Sequence, residues 1–160
     1  MNFTNAAQEL SYTRVRDYLI SSSFQDRLRM DANRPHFDLI HLSETHIEVD
    51  ILPWEHHPYP ERELAVVRAS SCVTVGSGPE LALMRFLLET NRKTRFGSFQ
   101  TDETGAIFFA HRILGGDHMD LVELETCILA VAAIATEYEP IITTQFGGQR
   151  ARGDRLANLT

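Results

Sequence analysis

The stretch HIEVDIL at residues 46–52 alternates polar and apolar from His46 to Ile51. Ile47, Val49 and Ile51 fall on one side of an extended chain, and His46, Glu48 and Asp50 fall on the other. That period of two makes the segment a β-strand with one buried and one polar face. PHFDLIHL at 35–42 precedes it across the short polar turn SET, which predicts an antiparallel hairpin. A third strand follows within ELAVVRASSCVTV at 63–75. Between them, PWEHHPYPERE at 53–63 carries three prolines and reads as an exposed loop.

A second strand pair spans FGSFQTDETGAIFFAHRI at 96–113, around a glycine-containing turn. Its later half sets Phe108 beside Phe109. Consecutive residues of a strand face opposite ways, so this strand buries an aromatic ring on each side.

Helices separate and flank the strands. The first is expected from about Asn5 to Leu19, ended by SSS at 21–23, with FQDRLRM adding a further turn. The second follows GSGPE at 76–80, where Ser77 as N-cap, Pro79 in the first turn and Glu80 have the spacing of a capping box. In it, Leu81, Ala82, Leu83, Met84, Phe86, Leu87 and Leu88 leave only Arg85 and Glu89 as a polar stripe. A helix lying on one sheet needs an apolar stripe little more than ~100° wide, so the surplus must meet another helix or a second molecule. The last helix begins at Asp120, again with a glutamate three residues on, and runs through LVELETCILAVAAIATEY. Pro140 is expected to kink or divide it, with IITTQF as a short further helix and the glycines at 147–148 as its end.

The sequence is therefore α+β, in the order α-β-β-β-α-β-β-α. Its 160 residues suit one domain, expected over 1–148, with 149–160 as a flexible tail. A net charge of −7 argues against nucleic-acid binding, and the basic runs NRKTR at 91–95 and Arg150, Arg152 and Arg155 read as solvated. Cys72 and Cys127 both sit in apolar settings and behave as small buried hydrophobes. The N-terminus has no signal-peptide pattern, and the longest apolar run, CILAVAAIA, is far short of the roughly 20 residues of a membrane helix. A cytoplasmic protein is expected.

Chemistry is sparse. His56 and His57 in EHHPYPE are adjacent and point apart in an extended chain. His111, Asp117, His118 and Asp120 converge only if the strand-to-helix loop folds back. Glu48 and Asp50 beside His46 read as a solvated sheet face. GSGPE lacks a P-loop lysine, and Ser70 and Ser71 lack a nucleophile elbow. No catalytic, cofactor or metal residue is expected.

ELALMRFLLETN, RFGSFQTDETGAIFFAHRIL and DLVELETCILAVAAIATEYEPIITTQFGG together resemble the YbjN-like family and, in fold, the type III secretion chaperones of the Tir and SycE kind. The shared features are a leucine-rich helix ending in asparagine, an FG-x-F strand, a strand ending in histidine and an apolar residue, and a helix closing with FGG. They cover about Leu64 to Gly148. The resemblance implies one twisted antiparallel sheet packed by helices, and commonly a homodimer. Chaperones of this fold dimerise through the middle helix and nearby strands and offer apolar patches to an extended segment of another protein. YbjN-like proteins as a group have no established enzyme activity.

The favoured reading is a non-enzymatic chaperone-like or adaptor dimer. One of Phe108 and Phe109 packs under the protein's own helices, while the other, with part of the Leu83, Phe86 and Leu87 face, meets a second subunit or a protein client. In the simpler alternative, helices within one chain cover both rings. A different alternative is a small-ligand or metal-dependent enzyme using the 55–61 loop with His111 or His118.

Overall fold

The computed structural model describes residues 1–40, 44–59, 61–78 and 80–151. Helix α1 spans Ala6–Ser21, followed by strands β1 (Leu28–Met30), β2 (His36–Ile40), β3 (His46–Pro53) and β4 (Ala65–Val75). Then come α2 (Leu81–Lys93), β5 (Ser98–Thr101), β6 (Ile107–Leu114), α3 (Leu121–Phe146) and β7 (Gln149–Arg150). The strands form one antiparallel sheet in the order β1-β2-β3-β4-β6-β5, with β7 pairing beside the end of β4. The expected α+β class and element order are observed, with two short strands added.

One face of the sheet carries the core. Phe37 and Leu39, then Ile47, Val49 and Ile51, then Val67 and Ala69, then Ile107, Phe109 and Ile113 are all buried. They pack against Val15 and Leu19 of α1, Leu83 and Leu87 of α2, and Leu124, Ile128 and Val131 of α3. Among the described residues, all three helices lie on this face. The period-two pattern at 46–52 thus sorts its residues between a helix layer and an uncovered surface.

Several local expectations are corrected. FQDRLRM contributes only a single 3-10 turn at Gln25–Arg27 before β1, which pairs Leu28, Arg29 and Met30 with Leu39, Asp38 and Phe37 of β2. Ser77 does not cap α2. Its hydroxyl hydrogen-bonds that of Thr74 at 2.9 Å, and Glu80 stands at the cap position without a side-chain bond. Pro79 lies outside the described residues. The Asp120 cap of α3 is formed as expected, its carboxylate accepting from the Val122 and Glu123 N–H groups.

Helix α3 passes through Pro140 as one element of 26 residues. The proline removes one backbone donor, but packing on both sides of it keeps the turns aligned: Ile142 is fully buried, and the Phe86 ring lies 6.3 Å from Tyr138 and 5.2 Å from Phe146. Beyond Gly147, Gln149 and Arg150, the first residues of the expected tail, pair with Val75 and Thr74. Residues 152–160 lie outside the described residues. No described helix is long and apolar enough to cross a membrane.

Candidate functional site: the uncovered face of the sheet

The second face of the sheet is built from the residues between the core positions. The strand registers set them in rows. One row runs Leu52, Val66, Leu114; the next His36, Asp50, Arg68, Arg112; the next Arg29, Asp38, Glu48, Ser70, Ala110, Ser98. The last holds the pair Ile40 and His46 and the trio Cys72, Phe108 and Gln100. Apolar side chains thus border a charged middle, and Ile40, Leu52 and Leu114 are 39%, 36% and 47% exposed.

The two aromatic neighbours divide between the faces. Phe109 is fully buried under the helices, edge-on to Phe99 at 5.0 Å. Phe108 is half-buried on the uncovered face. Leu83 and Leu87 point into the core, and Phe86 is half-buried against Tyr138 and Phe146. The apolar surplus of α2 is carried instead by Leu81 and Leu88, 85% and 69% exposed, beside the Arg85–Glu89 ion pair at 3.1 Å.

Across the charged middle, His36 Nδ1 meets Asp50 Oδ1 at 2.7 Å, and Arg68 donates to Asp50 Oδ2 from Nη2 at 2.7 Å. Asp38 Oδ1 lies 2.9 Å from His46 Nε2 and 3.3 Å from His36 Nε2. The hydrogen bond to Asp50 raises the pKa of His36 against the opposing effect of burial. Burial pushes Asp50 upward, but its bonds from His36 and Arg68 outweigh that and hold it below the ordinary carboxylate range. Glu48 is pushed up, first by burial. It has no hydrogen-bond or ion-pair partner among the described residues. One ligand atom from each of Asp38, His46 and Glu48 falls within 4.8 Å of the others.

The sequence reading noticed His46, Glu48 and Asp50 but missed His36, Asp38 and Arg68 as their partners. The available signal was the hairpin itself: folding the chain about residue 43 pairs His36 with Asp50 and Asp38 with Glu48. The histidines of the enzyme alternative are not gathered. His57 packs edge-on to Trp54 at 5.8 Å and accepts the Tyr59 N–H, while His111 packs against Phe96 at 5.7 Å. His118 lines a cavity of about 430 Å³ with Arg62, Glu63 and Gly115.

The comparisons with known proteins agree with this architecture. Residues 60–142 match the family model YbjN, described as "Putative bacterial sensory transduction regulator". The fold is similar to that in the crystal structure of the ExsC-ExsE complex, with a TM-score of 0.53 at 19% identity, over 89% of this chain and 97% of that chain. No curated protein matches the chain.

Proposed function

The chain belongs to the YbjN family, and from that premise we propose that it is a non-enzymatic, chaperone-like adaptor that forms a homodimer and binds a protein or peptide segment. The observation that carries the reading is the sheet face around Phe108. A half-buried aromatic ring and the exposed Ile40, Leu52 and Leu114 lie on a face that no described helix covers. Exposed apolar surface of this kind marks contact with another macromolecule. The fold likeness to a solved complex of two proteins supports a protein partner. Net charge −7 disfavours nucleic acid. The reading takes residues 1–148 as the working domain and the bacterial cytoplasm as its setting, with no membrane partner.

Two surfaces are available, the Phe108 face and the outer stripe of α2 at Leu81 and Leu88. We assign binding to the Phe108 face, because its flanking charged rows add polar specificity to an apolar contact. Sedimentation equilibrium of the wild type should give a dimer at micromolar concentration, and monomer alone would remove the dimer. Capture of the tagged protein beside Phe108→Asp and Leu88→Asp variants then identifies the face. A specific partner lost only in Phe108→Asp supports the assignment, and one lost only in Leu88→Asp transfers binding to α2.

A further inference from the structure

Asp38, His46 and Glu48 reach one point by strand geometry alone. Asp38 is the cross-strand partner of Glu48, and His46 precedes Glu48 by two residues, so all three leave the sheet on the same side. Their ligand atoms lie within 4.8 Å of one another. Donors bound at ~2.1 Å to a shared tetrahedral ion sit roughly 3.4 Å apart, so closing on an ion needs side-chain adjustment and no movement of the strands.

The face carries three carboxylates, Asp38, Glu48 and Asp50, and three arginines, Arg29 across from Asp38 and Arg68 beside Arg112, but the pairing is uneven: Arg68 directs both of its hydrogen bonds to Asp50. Glu48, only partly exposed, is left without a cationic or hydrogen-bonding partner among the described residues. A carboxylate withdrawn from water next to another carboxylate is unfavourable unless a positive charge joins it. The outer arrangement suits such an ion. His36 holds Asp38 through Nε2 and is itself fixed by Asp50 through Nδ1, the kind of second layer that orients a metal-binding carboxylate.

We propose that Asp38, His46 and Glu48 form a binding site for a divalent ion of the Zn²⁺ class on the uncovered sheet face. One imidazole nitrogen with two carboxylate oxygens favours such a borderline ion over Mg²⁺ or Ca²⁺, which take oxygen donors. Three protein ligands leave further positions open toward solvent, where a partner's side chain or a water completes the shell. Coordination through the Nε2 that now faces Asp38 places the ring proton on Nδ1. That atom is buried without a partner among the described residues, and the cost makes the site weaker than one whose histidine bonds a carbonyl.

Equilibrium dialysis of the full chain against micromolar Zn²⁺, with Mg²⁺ in a parallel cell, tests the site. One Zn²⁺ per chain and no Mg²⁺ is the expected result. Asp38→Asn and the near-isosteric Glu48→Gln should each weaken uptake by at least about tenfold, the loss that even an outer-layer change brings, with circular dichroism confirming the fold. A His56→Ala, His57→Ala double variant should bind as the wild type does. Absence of Zn²⁺ uptake by the wild type, undiminished uptake in both carboxylate variants, or uptake lost only in the double histidine variant would each overturn the proposal.

Discussion

Asn91 closes the free edge of the sheet at Phe99. Its Oδ1 accepts the Phe99 N–H at 2.7 Å and its Nδ2 donates to the Phe99 carbonyl at 3.1 Å. The side-chain amide supplies the donor and acceptor that a further strand would have offered to β5, so the edge is occupied from within the chain. Asn91→Ala should cost about 1–3 kcal/mol, because it strands two backbone groups that are only partly open to water. Urea denaturation measures the loss, and light scattering should report increased self-association.

Phe108 and Phe109 should separate sharply in stability. Phe109→Ala removes a fully buried ring that contacts Phe99, and should cost about 3–5 kcal/mol. Phe108→Ala, on the uncovered face, should cost about 1 kcal/mol or less. Denaturant midpoints of the two variants decide the matter, and equal losses would contradict the one-sided helix layer.

Gly97 and Gly76 form a matched pair. Both have positive φ, 71° and 73°. A Cβ at Gly97 would meet the Ala110 carbonyl oxygen and the Phe109 ring, whereas one at Gly76 would meet open space. Gly76→Ala should therefore carry only the backbone cost of about 1–2 kcal/mol, and Gly97→Ala should lose clearly more. Thermal melts of both variants provide the check.

Cys127 should be inert in the native protein. Burial pushes its thiol up to about 12, so at mildly alkaline pH almost no thiolate is present to react. Cys72 is pushed up to about 12 as well, first by burial and then by the charge of Glu48. A disulfide-exchange reagent should modify neither thiol rapidly before unfolding and both after it.

Asp31 governs a narrow acid window. The Asn33 N–H, then the side chain and the N–H of Arg34, hold its carboxyl down to about 2. A lowered native pKa means that the stabilisation is present above the ordinary value of about 4 and is lost as pH falls through the native one. Carboxyl-carbon NMR should show the low midpoint, and Asp31→Asn should flatten stability across that interval.

The features readable in the sequence were those set by neighbours in the chain. HIEVDIL declared a two-faced strand, and Asp120 declared the start of α3. β1 was not legible, because three residues with no strong period become a strand only through pairing with β2. The caps at Ser77 and the break at Pro140 were misread for the same reason: Thr74 claims the serine hydroxyl, and packing at Phe86 and Ile142 carries the helix past the proline. The family motifs now have physical causes. The asparagine closing α2 binds Phe99, the glycine of FG-x-F clears Ala110, and the last glycine of FGG fits against Val75 and Ser77. The uncovered face was half legible, since His46, Glu48 and Asp50 were in view while their partners depended on the hairpin register.

The pairing of β7 with Thr74 and Val75 bears on how the chain reaches this state. Strand β4 takes its neighbours from residues 48–53, 107–114 and 149–150, so its hydrogen-bonding is complete only after the chain has been made as far as Arg150. Contacts so distant in sequence slow folding. During synthesis, the edge of β4 that β7 covers therefore stays open at Thr74 and Val75 until the closing helix has emerged and docked, although β6 already pairs the other edge at Thr74. That interval is when the nascent protein is most open to mispairing.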